Sequence, residues 1–339
     1  MILQVFFSIL LLFAMAAPGY WLARRQHVHP SFDKDIANLL MKVVYPCLIF
    51  RTVYQRYTLE ELSAVWYLPL AAIAIMLSGL AIGHLASPWL SFRDAAEKRA
   101  FHYQSMMNNF SFLPLALLPS LVGLDQAGNA TAILLLAAFG ADVVVWSAGV
   151  MVASEHKVDW FRSLLHLFSP PLFAMYLGIS CRLLTDAFDV TGFFIAAEAS
   201  LKSASTCGGK FLDTLELIGK GTIPLAMVQS GSRLAKIDAD DLRNRNVWIV
   251  TGLRLLVIPG LLLVALLFLG RLFHFSRMEM IVLATMATMP VATVAFTFSE
   301  LFHMDKRFVS SSYLVSTLLA ILTVPLLLGW FLARLQAGH

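Results

Sequence analysis

The chain has 339 residues, of which 59% are hydrophobic and only 14% are charged, and its mean hydropathy is +0.75. A soluble domain carries about a quarter charged residues, so this composition excludes an ordinary globular protein. The formal net charge of +4 is no argument for a nucleic-acid partner, because the basic residues are distributed among the loops of a hydrophobic chain.

Ten apolar runs follow one another along the chain, and each is long enough to cross a bilayer, which requires about 20 residues. They lie at 1–23, 36–55, 65–90, 100–122, 128–153, 163–184, 211–234, 247–270, 278–302 and 308–333. No stretch between them is long enough for a soluble domain. The sequence therefore predicts an all-α polytopic membrane protein with ten transmembrane helices, here called spans 1 to 10, whose solvent is the lipid bilayer.

Basic residues predict the orientation of these spans. Span 1 has no basic residue before it, and Arg24 and Arg25 follow it, which favours an uncleaved span over a signal peptide. The loops after the odd-numbered spans contain 14 Lys and Arg residues, whereas the other loops and the C-terminus contain 8. Because positive loops stay in the cytoplasm, we predict that both termini lie outside.

Two pairs of prolines have the same spacing in the two halves of the chain. Span 2 contains "KVVYPCLIFR" and span 7 contains "KGTIPLAMVQ", so both have Lys-x3-Pro. Pro46 precedes Pro114 by 68 residues, and Pro224 precedes Pro290 by 66 residues. This match predicts an internal duplication.

Five spans before the midpoint and five after it give two halves of opposite orientation. We predict one five-helix repeat over residues 1–155 and an inverted repeat over residues 156–339. The loop at 185–210 follows the first helix of the second repeat.

Spans 4 and 9 contain polar residues and a proline near their centres. These residues are Asn108, Asn109, Pro114, Thr288, Pro290 and Thr293. Asn suits a helix N-cap and Pro suits a first turn, so both spans are predicted to be broken. The second half-helices would then start near the midplane, where their positive N-terminal ends form an anion site. The alternative is that the asparagines link packed helices and the prolines only bend them.

Ionisable residues inside spans are candidates for coupling or for ion pairs. Asp142 is a candidate proton or cation carrier, and its alternative is a structural pair with Lys42, Lys220 or Arg254. Arg254 could bind a substrate carboxylate, tie two helices together, or extend to the interface. Lys42 and Lys220 have similar alternatives, with extension to the interface favoured for Lys42.

Gly79 and Gly83 in span 3 form a Gly-x3-Gly pair, which permits close helix approach. Packing within one protomer is the favoured interpretation, and a homodimer is the second.

No enzyme or metal-site signature is present in the sequence. Cys47, Cys181 and Cys207 are isolated, and no His-Glu-x2-His, phosphate-loop or serine-elbow pattern occurs. We therefore expect no catalytic residues, no metal site and no cofactor.

Six segments in order resemble one family: "GYWLARR", "LLMKVVYPCLIF", "MNNFSFLPLAL", "IPLAMVQSGSRLA", "MPVATVAFTFSELFHMD" and "LVSTLLAILTVPLLL". They resemble the auxin efflux carrier family, within the bile acid/arsenite/riboflavin transporter-like superfamily, over nearly the whole chain. The resemblance implies two inverted five-helix repeats, crossing broken helices 4 and 9, elevator-like alternating access and organic-anion substrates. Plant members export auxin, and bacterial members are linked to malate and malonate.

The family's crossover prolines fall on Pro114 and Pro290, and its span 4 asparagine falls on Asn108 or Asn109. The chain departs from plant carriers because it lacks their long central loop and has no asparagine at the span 9 crossover. A compact bacterial-type carrier of the inner (plasma) membrane is therefore expected.

The resulting functional prediction is a secondary active transporter that moves a small organic anion, expected to be a mono- or dicarboxylate, by elevator-like alternating access. The sequence is compatible with coupling to either H+ or Na+. The alternatives are a passive anion channel and a membrane receptor or sensor.

Overall fold

A computed structural model describes residues 2–155, 169–187, 207–235 and 242–337 of the chain. Within these ranges the backbone is helical and contains no β-strand, apart from one isolated bridge between Asn108 and Val291. Most of the loop predicted at 185–210 lies outside the described residues. The all-α prediction is confirmed for the part of the chain that is described.

The first half contains helices α1 to α9. Their bounds are α1 Ile2–Arg24, α2 Phe32–Leu39, α3 Tyr45–Arg56, α4 Leu59–Ala64, α5 Tyr67–Ala86, α6 Ala95–Met106, α7 Phe112–Val122, α8 Leu124–Val144 and α9 Val150–Ala153. Helices α2 and α3 together make span 2, and helices α8 and α9 together make span 5.

The described part of the second half contains helices α10 to α17. Their bounds are α10 Pro170–Ala187, α11 Cys207–Gly219, α12 Thr222–Leu234, α13 Arg245–Gly252, α14 Ile258–Leu272, α15 Arg277–Thr288, α16 Val294–Leu301 and α17 Lys306–Ala337. Helices α11 and α12 make span 7, and helices α13 and α14 make span 8.

Six described helical segments are long and apolar enough to cross a membrane. They are Val5–Arg24, Phe32–Arg56, Tyr67–Trp89, Leu124–Ala153, Arg245–Leu272 and Lys306–Gln336, which correspond to spans 1, 2, 3, 5, 8 and 10. Spans 4, 7 and 9 are interrupted in the structure, so none of these three forms one long apolar helix. Span 6 is described only from residue 169, and its described helix is not among the six.

Three of the long spans each contain one π-helical turn between two α-helical segments. The turns lie at Leu40–Val44 in span 2, Val145–Gly149 in span 5 and Leu253–Val257 in span 8. In spans 2 and 8 a proline follows the turn within two residues, and its missing N–H loosens the local hydrogen-bond ladder. Single π turns are frequent at functional sites, and all three reappear in the site below.

The helices pack in two groups. Span 1 lies along span 7, and span 2 lies along spans 6 and 7. Spans 3, 4 and 5 pack together, and spans 8, 9 and 10 do likewise, with further contacts between these two triplets. The broken spans 4 and 9 therefore belong to the larger group, and spans 2 and 7 face them from the smaller one.

The Gly-x3-Gly pair in span 3 lets α5 lie close against α6. A Cβ atom at Gly79 would overlap the carbonyl oxygen of Ser105, and one at Gly83 would overlap the Ser105 side chain. The two glycines are therefore used for packing within the chain, and the homodimer stays a prediction.

Candidate functional site

The two broken helices meet at their breaks. Residues 107–111 separate α6 from α7, and residues 289–293 separate α15 from α16. Two backbone hydrogen bonds join the breaks, from Asn109 N to Pro290 O at 2.8 Å and from Ala292 N to Met107 O at 3.2 Å. Peptide groups released by one break are thus satisfied by the other, as a low-dielectric surrounding requires.

The two asparagines have different partners at this crossing. Asn108 is fully buried, and its Nδ2 donates to Met286 O near the end of α15 at 2.5 Å. Its Oδ1 is buried with no hydrogen-bond partner among the described residues. Asn109 Oδ1 accepts from Leu113 N at 3.4 Å, which satisfies one free N–H at the start of α7. Asn108 therefore ties the two broken helices, and Asn109 caps one of them.

A cavity of about 270 Å³ lies beside the crossing. Five residues that the sequence analysis named line it: Lys42, Asn108, Asn109, Asp142 and Thr293. Its volume is close to the lower end of ligand sites, about 300 Å³, which suits a small molecule. The residues at the start of α7 and α16 also line it, so the positive ends of both second half-helices border the cavity.

Two cationic side chains line the same cavity, Lys42 and Arg233. Arg233 is 5% exposed, and its Nη1 donates to Thr293 O at 2.6 Å. Its Nε lies 3.5 Å from Asp33 Oδ2, and its guanidinium lies 4.8 Å from the centre of the Phe296 ring. Sequence analysis did not select Arg233, because it is at the end of span 7 and was counted with the following loop.

Arg254 contacts the crossing but does not line the cavity. It is fully buried in a π turn and donates to three carbonyl oxygens: Ala287 O at 3.0 Å, Met289 O at 3.3 Å and Ser105 O at 3.3 Å. These carbonyls belong to the last turns of α6 and α15 or directly follow them, where intrahelical donors are missing. One guanidinium thus serves the negative ends of both first half-helices. Of the three alternatives for Arg254, the structure has the tie between helices.

Asp142 is half-buried on the cavity wall. Within the described residues no Lys or Arg lies within ion-pair distance of its carboxylate, so the predicted alternative of a pair with Lys42, Lys220 or Arg254 does not occur there. Lys220 instead pairs with Glu216 at 3.0 Å, in the turn between α11 and α12, and its side chain is exposed. Lys220 is therefore not brought into the cavity.

The remaining predicted residues shape the helix ends. The Thr288 hydroxyl donates to the carbonyls of Ala284 and Thr285 in its own helix, and Thr288 does not line the cavity. Pro114 is the third residue of α7, where its missing N–H costs no helical hydrogen bond. Pro290 contributes its carbonyl to the bond with Asn109.

The cavity lies toward the side of the odd-numbered loops. Asn38 near the start of span 2, Pro170 at the start of α10 and Arg233 near the end of α12 all line it. No group of three or more His, Cys, Asp or Glu residues that could hold a metal occurs among the described residues.

Comparison with known protein families places the chain in one of them. A sequence profile of one family, described as membrane transport protein, matches residues 4–160 and 155–328. A search of curated proteins finds no relative. The two matched segments together cover nearly the entire chain.

Proposed function

Starting from the finding that the chain belongs to the membrane transport protein family, which is the auxin efflux carrier family, we propose that it is a secondary active transporter of a small organic anion. The observation that carries the proposal is the asymmetric charge at the crossing of the broken helices. The negative helix ends share the buried Arg254, whereas the positive ends border an open cavity.

The charge balance of the cavity supports an anionic substrate. Among the described residues, its wall has two cations, Lys42 and Arg233, against one acid, Asp142. The N-terminal ends of α7 and α16 add partial positive charge, which is a general basis for anion binding. We propose a mono- or dicarboxylate as the substrate, because a planar guanidinium can bind a carboxylate through two parallel hydrogen bonds.

Asn109 is the proposed direct contact of the span 4 pair. Its Nδ2 makes no hydrogen bond with the described residues, whereas the Nδ2 of Asn108 is already used on Met286 O. Thr293 would offer its hydroxyl from the other break, because its carbonyl is held by Arg233. Pro114 and Pro290 would keep the helix ends apart, and Thr288 would act only within its own helix.

The two helix groups support alternating access by movement of one group against the other. Among the described residues, two polar contacts cross between the groups at the cavity: Ser111 Oγ donates to Tyr45 Oη at 2.5 Å, and Arg233 Nη1 donates to Thr293 O. A third link at the same side is the ion pair of Lys34 with Glu300, at 2.9 Å. We propose an elevator-like movement that breaks these contacts and carries the crossing, within two inverted five-helix repeats, across the membrane.

The access side and the coupling site complete the proposal. Since the cavity lies toward the odd-numbered loops, which contain more Lys and Arg, this conformation would be open to the cytoplasm with both termini outside. Asp142 would be the coupling site, carrying H+ or Na+, because it is the acid on the cavity wall.

The test is uptake of labelled mono- and dicarboxylates into proteoliposomes under imposed H+ and Na+ gradients. Asn109→Ala should lower uptake about tenfold or more, equal to at least 1.4 kcal/mol of lost binding or transport free energy. Asn129→Ala, at an exposed position on α8, is the matched control and should transport normally. Normal uptake by a folded Asn109→Ala protein would refute the site.

The same assay separates the other functions. A passive anion channel would give flux that follows the substrate gradient alone and ignores both ion gradients. A receptor or sensor would be stabilised by a carboxylate in a thermal-shift measurement without any uptake, because ligand binding stabilises the folded state by mass action.

A further inference from the structure

A second cavity lies at the opposite end of spans 8, 9 and 10 from the site above. Its volume is about 480 Å³, and it is bordered by the end of α14, the start of α15 and the end of α17. Three arginines line it: Arg271, Arg277 and Arg334. They are every Lys and Arg residue that the chain has at this end of these spans.

The three arginines have no acidic partner among the described residues. All three are exposed, and none lies within ion-pair distance of a carboxylate there. The acid nearest in sequence is Glu279, which is buried and accepts from Ser276 N at 2.7 Å in the capping box of α15. Three like charges around one cavity repel one another, and a bound anion would relieve that repulsion.

The wall of this basic cavity is apolar below the arginines. Leu267, Met280 and Leu335 line it, and a Cβ at Gly270 would lie 2.7 Å from the Met280 methyl group. The chain closes α14 sharply through His274, whose φ is 54°, with Phe275 N donating to Gly270 O at 2.9 Å. The cavity therefore has arginine side chains on one part of its wall and apolar side chains on the rest.

An apolar groove of about 420 Å³ lies next to the basic cavity. It runs between α5 and α14, and Leu70, Leu262 and Leu266 are among its lining residues. The ring of Phe275 lines both spaces and stacks on Tyr67 with centroids 4.9 Å apart. A basic cavity at the helix ends and an apolar groove along the lipid-facing surface therefore meet at one side chain.

We propose that this pair of spaces binds one anionic phospholipid. The phosphate lies among the three arginines, and one acyl chain lies in the groove between α5 and α14. Arginine at a membrane interface attracts anionic lipids, and the apolar groove accounts for an attached hydrocarbon chain, which a soluble anion lacks. The groove also reaches Ala287, whose carbonyl Arg254 holds, so the acyl chain contacts the end of α15.

The experiment uses the full-length protein, purified and stripped of lipid in detergent. Native mass spectrometry counts retained lipid, and thermal melting gives the concentration of added phosphatidylglycerol at half-maximal stabilisation. Phosphatidylcholine tests the headgroup charge, and glycerol 3-phosphate tests the anion without acyl chains. We expect one retained phosphatidylglycerol, and a rise in melting temperature with that lipid only.

Two variants test the two parts of the site. Arg271→Gln/Arg277→Gln/Arg334→Gln should need at least about tenfold more phosphatidylglycerol, because each basic residue near an anionic lipid contributes several-fold. Ala265→Phe, which fills the groove, should also raise the concentration of phosphatidylglycerol needed for half-maximal stabilisation. The matched control is Arg24→Gln/Arg25→Gln/Arg307→Gln, which neutralises three exposed arginines at the other end of the spans and should bind as the unaltered protein does.

Each contrary result overturns the proposal. Equal stabilisation by phosphatidylcholine indicates only the surrounding lipid annulus, and equal stabilisation by glycerol 3-phosphate indicates a site for soluble anions. Unchanged phosphatidylglycerol binding by the triple variant refutes the role of the arginines. If that variant does not fold, Arg334→Gln alone, near the C-terminal end of α17, must still show weaker binding for the proposal to stand.

Discussion

Replacement of Arg254 by methionine tests the charge arrangement at the crossing. Methionine has similar length and no donors, so the carbonyls of Ser105, Ala287 and Met289 would lose their guanidinium partner. A buried acceptor left without a donor costs about 1–3 kcal/mol, which gives about 3–9 kcal/mol for three. Removal of a buried charge that has no acidic partner offsets part of this cost. We expect a net loss of about 2–4 kcal/mol in the free energy of unfolding.

The assay is thermal melting of the purified protein in detergent, combined with uptake in proteoliposomes. At about 2–4 °C per kcal/mol, Arg254→Met should melt about 5–10 °C lower. Arg254→Lys keeps the charge but not the planar guanidinium, so its melting temperature should lie between those of Arg254→Met and the unaltered protein. Arg245→Met, at the exposed first position of α13, is the matched control and should melt as the unaltered protein does. An Arg254→Met protein with unchanged melting and uptake would refute the argument that this cation stabilises both negative helix ends.

Three further predictions concern packing, pH and coupling. Gly79→Ala should lower the melting temperature by several degrees, because the new methyl group would overlap the carbonyl oxygen of Ser105. Glu97 is buried just before predicted span 4. Burial alone would raise the pKa of its carboxyl group, but hydrogen bonds from Asn244 and other donors outweigh the effect of burial, so the pKa is lowered. Its stabilising contribution is therefore complete above the unfolded value of about 4.3 and is lost as the pH falls through the folded pKa, which melting at about pH 3 and pH 7 should show. Asp142→Asn should make carboxylate uptake independent of external pH if this acid carries a proton.

The controls for these predictions use the same measurements. Gly260→Ala has open space around the added methyl group and should melt as the unaltered protein does, and equal melting of Gly79→Ala would contradict the close approach. Glu97→Gln should melt lower at pH 7 and lose part of the acid sensitivity; an unchanged pH profile would exclude Glu97 as its source. Uptake by Asp142→Asn that still follows a proton gradient would place the coupling elsewhere.

The broken helices could be predicted because their signals are local. Polar residues and a proline in the middle of an apolar run are unfavourable in a continuous helix. The matching distances from Pro46 and Pro224 indicate that the breaks in spans 4 and 9 correspond to each other. The order of the breaks along the chain was thus visible in the sequence. The hydrogen bonds between the breaks join residues about 180 positions apart, and composition and spacing carry no information on that register.

The cationic residues show where such reasoning stops. Arg233 and Arg254 are both buried, yet Arg233 lies at the end of an apolar run and Arg254 lies inside one, so position in the run did not predict their shared burial. Their roles depend on which carbonyls lie within reach, and those carbonyls come from spans 4 and 9. The π turns that contain Lys42 and Arg254 could not be predicted either, because a long apolar run carries no residue type or spacing that marks where one extra residue enters a helical turn.

The bridge between Asn108 and Val291 also has a consequence for biosynthesis. The first break leaves the ribosome 183 residues before its partner. At about 5–20 residues per second, its peptide groups wait on the order of 10 s or more in a bilayer without their final partners. We expect a chain that stops at residue 155 to be degraded rapidly in pulse-chase labelling, and co-expression of residues 156–339 to protect it. A stable first half on its own would mean that water or lipid headgroups serve the break until the second half arrives.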